Sequence, residues 1–196
     1  MKKLILLVIL AALGGCGAKP LNTGSGGFNI VAFGDSLTAG YGVSAEQSYP
    51  ALLQEMARRP VINLGVSGDT ARMGADRKEE ISRYNPFMVL IQFGGNDAMR
   101  GRPLSETRAA TEEIVDFVQS LGAIAVIVDT GGNFKMKPYT EMFKQIAKEK
   151  RAVFVPGIME GIFYNPQLKS DAVHPNAKGY RLIAEKIFKK IKPYIS

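Results

Sequence analysis

The sequence predicts an α/β protein in which helices cover both faces of a five-stranded parallel sheet. Five short apolar segments lack the strict alternation of strands with one solvated face, as expected for strands buried on both sides. Helical patterns separate these segments along the chain. The 196 residues suit a single domain with an adequate core. Alternating strands and helices joined by right-handed crossovers give a three-layer α/β/α arrangement.

The elements can be placed from their patterns. Segments rich in branched or aromatic residues predict strands at 28–33, 61–64, 87–93, 123–128 and 152–155. Helices are predicted at 48–58, 70–83, 105–121, 139–150 and 177–192. The last helix has one apolar face, formed by Tyr180, Ile183, Ala184, Ile187, Phe188 and Ile191. Gly122 stands where a helix that ends near residue 121 favours a left-handed residue.

The first 27 residues carry signals for export and anchoring. Two lysines precede an apolar run at residues 4–13, which is shorter than the roughly 20 residues needed to span a bilayer but suits a signal peptide over 1–15. The run ends in Leu13-Gly14-Gly15-Cys16, which resembles the lipobox of bacterial lipoproteins, and Cys16 is the sole cysteine. This resemblance implies lipidation at Cys16 and a place in the cell envelope, at the periplasmic face or the outer membrane.

An ordinary signal peptide followed by an incidental thiol is the alternative interpretation. A lone cysteine in an exported protein forms no internal disulfide, which favours the lipoprotein. Residues 16–27 have the composition of a flexible linker, and the folded domain is predicted to occupy 28–196.

Composition and charge argue against several classes of function. The formal net charge of +7 is spread along the chain, and we interpret Lys186, Lys189, Lys190 and Lys192 as a solvated helix face rather than a nucleic-acid site. One histidine, one cysteine and no clustered carboxylates give no metal-ligand set of usual spacing. We therefore expect no cofactor, no metal and no nucleic-acid partner.

Polar, glycine-rich runs follow the predicted strands. Runs 34–37, 65–70 and 94–97 come directly after the first three strands, and Asp171 and His174 follow the fifth. Because ligand sites in such sheets lie beyond the carboxyl ends of the strands, these runs are predicted to converge on one rim.

The converging residues are those that acyl transfer requires. Ser36 needs a base to take its proton, and His174 is the only histidine in the chain. Asp171 could hold the imidazole tautomer. The Ser36 and Gly68 N–H groups and the Asn96 amide are candidate donors to an oxyanion. A lone histidine is more often a packing or surface residue, but its position after an aspartate and opposite a glycine-flanked serine favours catalysis.

Four sequence blocks resemble the SGNH, or GDSL-type, hydrolases. They are Gly34-Asp35-Ser36-Leu37, the block with Gly68, Gly94-Gly95-Asn96-Asp97 and Asp171-Ala172-Val173-His174. The resemblance covers residues 28–196 and is nearest to the thioesterase I, arylesterase and lysophospholipase branch. It implies a flavodoxin-like sheet, a Ser36-His174-Asp171 triad without metal, and oxyanion donors at Ser36, Gly68 and Asn96.

The expected activity is hydrolysis of carboxylic esters or thioesters through an acyl-enzyme on Ser36. Two alternatives stay open: an O-acetylesterase acting on envelope or extracellular polysaccharide, and a non-catalytic binding lipoprotein that keeps the fold.

One segment departs from the pattern of that branch. After the fourth strand the branch usually carries Arg, Pro and Asn-Tyr-Gly, whereas this chain has Thr130-Gly131-Gly132-Asn133-Phe134. Acyl preference is therefore open. Met99, Met136, Asn133 and Phe134 are candidates for the substrate pocket, whereas Asp35, Asp97, Asp69 and Thr70 are predicted to hold loop backbone or helix starts.

Overall fold

A computed structural model of the chain describes residues 19–195. Its centre is a five-stranded sheet in the order β2-β1-β3-β4-β5 in which all neighbouring strands are parallel. The strands are β1 (Asn29–Gly34), β2 (Val61–Gly65), β3 (Pro86–Gln92), β4 (Ile124–Val128) and β5 (Val153–Val155). This strand order is that of flavodoxin-like sheets, so the predicted fold class is confirmed.

Seven α-helices connect and cover the strands within the described residues. They are α1 (Ser36–Ala39), α2 (Tyr49–Ala57), α3 (Ala71–Asp76), α4 (Gly95–Met99), α5 (Leu104–Ser120), α6 (Lys137–Glu149) and α7 (Ala177–Ile191). One core packs α2 and α7 against the sheet, and the other packs α3, α5 and α6 against the opposite face. The chain therefore forms the three layers that the sequence predicts.

The segment between β2 and β3 differs from its prediction. Residues 70–83 were expected to form one helix, but α3 ends at Asp76 and a 3₁₀ helix, Lys78–Tyr84, follows. Arg77, at the junction, has non-helical backbone angles. Its guanidinium donates to the carbonyl oxygens of Gly34 and Leu64. The helix breaks where this side chain turns inward to tie β1 to β2.

Part of the predicted linker is held against the domain. The backbone N–H of Leu21 donates to the carbonyl oxygen of Arg151, and the Asn22 amide donates to the carbonyl oxygens of Gln119 and Ala123. The proposed signal peptide and Cys16 lie outside the described residues. Within residues 19–195, no helix combines the length and hydropathy needed to cross a membrane.

The lysines of α7 differ from their prediction at one position. Lys189, Lys190 and Lys192 are exposed, as expected of a solvated face. Lys186 is half-buried, and its ammonium donates to the carbonyl oxygens of Gly157, Ile158 and Glu160. Burial lowers the pKa of Lys186. Lys186 therefore anchors the loop after β5 to α7, so the prediction of a solvated side chain is wrong there.

Candidate active site

Ser36 is held at the point where β1 gives way to α1. The preceding residue, Asp35, caps α1 by accepting a hydrogen bond from the Leu37 N–H, 3.0 Å from Oδ1. The order of the sheet reverses between β1 and β3, which opens a crevice beyond the ends of these two strands. Ser36 therefore lies where the topology provides room for a ligand.

His174 and Asp171 reach this serine from the loop that precedes α7. The His174 Nε2 lies 3.0 Å from the Ser36 Oγ, and its Nδ1 lies 2.7 Å from the Asp171 Oδ2. The other carboxylate oxygen, Oδ1, accepts the backbone N–H groups of Val173 and His174, each at 2.8 Å. The structure thus brings together the three residues predicted from opposite ends of the chain.

The Asp171 carboxylate is stabilised in its charged form. Partial burial acts to raise its pKa, but hydrogen bonds from the Val173 and His174 N–H groups and from the imidazole hold the pKa at about 2. Asp171 is therefore an ionised acceptor at neutral pH, which favours a proton on Nδ1 and leaves Nε2 free to accept one.

Tyr41 provides a platform for the imidazole. Its ring lies against the His174 ring with centroids 4.4 Å apart and planes inclined by 38°. The Tyr41 N–H donates to the Ser36 carbonyl oxygen, and the Tyr41 carbonyl oxygen accepts from the Tyr180 hydroxyl. The loop after α1 therefore limits the orientation of His174. The sequence analysis did not identify Tyr41, because it lies beyond the Gly34-Asp35-Ser36-Leu37 block on which the prediction was based.

The three predicted oxyanion donors come from the loops after β1, β2 and β3. Within residues 19–195, neither the Ser36 N–H nor the Gly68 N–H donates to another protein group. The Asn96 Nδ2 donates to the Asp69 carbonyl oxygen at 2.9 Å, which leaves its second hydrogen without a partner among the same residues. Gly68 has a φ of +90°, a conformation that glycine adopts without strain.

Buried carboxylates fix the positions of these loops relative to one another. Both oxygens of Asp97 accept from the Ala71 N–H, and Oδ1 also accepts from the Thr107 hydroxyl. Asp69 accepts from the Arg77 Nε at 2.7 Å. Asp97 therefore joins the loop after β3 to the start of α3, which positions the Gly68 and Asn96 loops relative to each other. Asp97 has the loop-holding role that the sequence predicted.

Asp35 has its predicted structural role, whereas Asp69 differs from its prediction. Burial raises the pKa of Asp35 to about 7, because the hydrogen bonds from Leu37 and Gln92 do not offset the loss of solvent. Asp35 nevertheless holds the start of α1. At the start of α3 the Thr70 hydroxyl accepts from the Met73 N–H, whereas the Asp69 side chain pairs with Arg77 instead.

A cavity of about 350 Å³ opens beside Ser36 and His174. Its lining includes every residue suggested for the substrate pocket, namely Met99, Asn133, Phe134 and Met136. Met99 and Phe134 are largely exposed at the mouth, with 65% and 70% of their surface accessible. Met159, Phe163 and Tyr164 complete an apolar wall. These last three follow β5 in a segment with no recognisable motif, so sequence reasoning did not single them out.

Asp129 supports the loop that departs from the family pattern. Its carboxylate accepts the Gly131 and Gly157 N–H groups and the Thr140 hydroxyl. Burial raises the pKa of Asp129. This carboxyl fixes the start of the 130–136 loop against the loop after β5. The two loops that line the cavity are therefore joined at their bases.

Fold and site together define a class of protein: a serine hydrolase with an α/β/α fold that acts on ester bonds. The profile of the GDSL-like lipase/acylhydrolase family matches residues 32–182, and the chain belongs to this family. Within residues 19–195, no three His, Cys, Asp or Glu side chains are grouped as metal ligands would be.

Named relatives agree with this class. The chain is 29% identical over 176 residues to thioesterase 1/protease 1/lysophospholipase L1 of Escherichia coli K12, covering 85% of each chain. It is 28% identical over 179 residues to the arylesterase of Vibrio mimicus, covering 85% of this chain and 89% of the relative.

A solved esterase structure supports the same classification. The psychrotrophic esterase EstA of Pseudoalteromonas sp., solved in a form inhibited by monoethylphosphonate, superposes with a TM-score of 0.78 at 28% identity. The match covers 85% of this chain and 97% of that chain. The chain is therefore an SGNH-family esterase or thioesterase, and its substrate is an ester or thioester.

Proposed function

We propose that the protein hydrolyses esters or thioesters of apolar acyl groups by forming an acyl-enzyme on Ser36. The observation that carries this proposal is the unbroken hydrogen-bonded chain from the Ser36 Oγ through His174 to Asp171, with links of 3.0 and 2.7 Å. Such a chain activates a serine that is otherwise a weak nucleophile at neutral pH.

The first half of the reaction acylates the enzyme. The Ser36 Oγ attacks the carbonyl carbon while its proton moves to the His174 Nε2. The resulting oxyanion accepts hydrogen bonds from the Ser36 and Gly68 N–H groups and from the Asn96 Nδ2. The bond to the leaving oxygen or sulfur then breaks, and the proton on Nε2 passes to that atom. Asp171 stays ionised and stabilises the imidazolium.

The second half releases the acid. His174 accepts a proton from a water molecule as its oxygen attacks the acyl carbon, and the same donors hold the second oxyanion. Collapse returns the proton from Nε2 to the Ser36 Oγ and frees the carboxylic acid. The enzyme is restored without any external redox or metal chemistry in the scheme.

The cavity supports an acyl group larger than acetyl. Its wall of Met136, Met159 and Phe163 offers apolar contact, and thioether side chains adapt to chains of different length. Its volume of about 350 Å³ lies within the range of small-molecule pockets. We expect turnover of p-nitrophenyl esters to rise from acetate to a medium chain length.

The test is hydrolysis of p-nitrophenyl esters from two to twelve carbons by the wild type and by Ser36→Ala. We expect an optimum above four carbons and loss of activity in the variant. Met159→Trp, which narrows the cavity without touching the triad, should shift the optimum toward acetate. Equal activity of wild type and Ser36→Ala would refute the mechanism, and an unchanged optimum in Met159→Trp would refute the pocket assignment.

A second candidate is deacetylation of a polysaccharide. The observation that favours it is the exposed aromatic pair at the cavity mouth, because Phe134 and Tyr164 have 70% and 71% of their surface accessible. Flat exposed rings suit stacking on sugars. Release of acetate from acetylated xylan at a rate above that from p-nitrophenyl acetate would favour this substrate.

We also propose that the mature protein is anchored in the cell envelope by a lipid on Cys16. The Leu13-Gly14-Gly15-Cys16 sequence and the charged and apolar residues before it support this proposal. Several acyl chains on one cysteine give stable anchoring. Metabolic labelling with a fatty-acid analogue should mark the wild type but not Cys16→Ala. Equal labelling of both would refute the anchor.

A further inference from the structure

The N-terminal segment leaves the domain at the end opposite the active site. The Arg151 guanidinium donates to the Lys19 carbonyl oxygen from Nε and Nη2, at 3.1 and 2.9 Å. The Asn22 amide bonds to the carbonyl oxygens of Gln119 and Ala123. Arg151 and Ala123 lie just before β5 and β4, at the amino ends of the strands. Ser36 lies beyond the carboxyl end of β1, so the segment is fixed on the far side of the sheet.

Cys16 is close to this attachment in sequence. Three peptide units separate Cys16 from Lys19, and they span at most about 11 Å. A lipid on Cys16 would therefore hold the amino ends of the strands near the membrane surface.

The same end of the domain is rich in basic residues. We call it the base surface and define it by the N-terminal segment 19–28, the turns 58–60, 83–85, 121–123 and 150–152 that lead into strands, and the C-terminal residues 192–195. These segments contain seven lysines and arginines and no aspartate or glutamate: Lys19, Arg58, Arg59, Arg83, Lys150, Arg151 and Lys192.

Most of this charge is available to a partner. Lys19, Arg58, Arg83, Arg151 and Lys192 are exposed. Of these seven basic residues, only Lys150 forms an ion pair with another described residue, namely Asp116 at 2.7 Å. Phe28 and Leu121 add exposed apolar side chains on the same surface. The pocket end, by contrast, mixes both signs, with Glu46, Glu160 and Asp171 exposed there.

We propose that the base surface binds anionic lipid headgroups, so that the catalytic pocket faces away from the membrane that carries the anchor. This inference rests on the proposed lipidation of Cys16. Clustered cations beside a lipid anchor provide the second signal that strengthens membrane binding, since each adds attraction to an anionic surface. The hydrogen bonds of Arg151 and Asn22 convert the anchor from a free tether into a fixed attachment.

The orientation restricts the substrate. The seven residues of β3 span about 20 Å, so the pocket stands at least that far from the headgroups on which the base rests. Ester bonds of phospholipids in the same leaflet are then out of reach. The substrate comes from the aqueous compartment or from a surface that faces the anchored enzyme.

The orientation can be measured on the lipidated protein in vesicles of phosphatidylglycerol and phosphatidylcholine. Because Cys16 is the sole cysteine and is blocked by the lipid, a cysteine introduced by Leu121→Cys or Ala45→Cys can be labelled alone. Position 121 lies on the base surface and position 45 lies on the pocket side, before α2. Energy transfer to acceptor-labelled headgroups should be strong from position 121 and weak from position 45. Equal transfer from both, or stronger transfer from position 45, would overturn the proposal.

Charge reversal tests the electrostatic part. The triple variant Arg58→Glu, Arg83→Glu, Lys192→Glu should make the two transfers similar. The matched control Lys144→Glu, Lys178→Glu, Arg181→Glu changes the net charge equally at exposed sites outside the base surface and should keep the wild-type difference. If both triples keep the wild-type difference, or both lose it, the charge of the base surface does not govern orientation, and the proposal fails.

A third arm separates the base surface from the anchor. The mature polypeptide from residue 16, with Cys16→Ser, is cosedimented with the same vesicles. We expect binding that weakens with salt and falls at least about tenfold in the base-surface triple. Binding of this variant, together with no fatty-acid label on Cys16 of the wild type, would refute the anchor and keep the headgroup site. Absence of binding, or displacement by a soluble acidic polysaccharide that binds more tightly than the vesicles, would refute the headgroup site.

Discussion

Asn96→Ala removes the side-chain donor that the mechanism places on the oxyanion. The amide is buried, and one of its hydrogens already bonds to the Asp69 carbonyl oxygen at 2.9 Å, so the second is held in a fixed direction. Loss of one such donor costs about 10²–10³ in kcat, or roughly 3–4 kcal/mol of transition-state stabilisation. KM should change little, because the interaction develops with the oxyanion.

The substitution also carries a structural cost that must be separated from the catalytic one. The Asp69 carbonyl oxygen loses its partner, which costs about 1–3 kcal/mol and lowers Tm by roughly 2–12 °C. Thr107→Val is the matched control, because it removes the 2.9 Å hydrogen bond to Asp97 in the same network without touching the oxyanion site. We expect it to lower Tm similarly and to leave kcat within about threefold.

The assay is steady-state hydrolysis of a p-nitrophenyl ester at 25 °C, well below Tm, with folding checked by circular dichroism. A kcat for Asn96→Ala within threefold of the wild type would refute the donor assignment. Equal losses of kcat in Asn96→Ala and Thr107→Val would show that loop position, rather than the amide, carries the effect.

Substitutions at three further positions test other parts of the site. Asp171→Asn should reduce kcat by about 10³–10⁴. The backbone N–H groups keep Oδ1 as acceptor and turn the new NH₂ toward the His174 Nδ1, which selects the wrong tautomer. Asp171→Ala should have a kcat no lower than that of Asp171→Asn. Asp35→Asn should flatten the pH dependence of the free energy of unfolding in urea. Because burial raises the pKa of Asp35 to about 7, its contribution to the free energy of unfolding is complete below about pH 4 and falls by up to about 4 kcal/mol as the pH rises to 7. Gly68→Ala should cost about 1–2 kcal/mol in urea unfolding, since φ is +90°, and should lower kcat; unchanged stability would contradict this.

The parts of the fold predictable from sequence are those with a local cause. Strands such as Ile124–Val128 are continuous apolar runs, and α7 has a clear apolar face, so both were found near their true bounds. The break after Asp76 was not predictable, because it depends on Arg77 reaching the carbonyl oxygens of two strands. Lys186 was misread for the same reason, since its carbonyl partners are 26–29 residues away.

The candidate site shows the same division. Ser36, His174 and Asn96 stand in recognisable motifs directly after strands or before a helix, so topology alone brings them together. Tyr41 and the wall of Met159 and Phe163 have no motif, and their positions depend on how loops pack over the sheet. The reacting residues and part of the pocket lining were therefore predictable from the sequence, whereas the lining that follows β5 was not.

Ser36 carries the acyl group in the proposed mechanism, and covalent trapping identifies the reactive residue. The protein is treated with a fluorophosphonate, and the modified residue is located by peptide mass spectrometry in the wild type, Ser36→Ala and Ser67→Ala. We expect one adduct, on Ser36, which is retained in Ser67→Ala and absent from Ser36→Ala. An adduct on another residue, or none on folded wild-type protein, would contradict the mechanism.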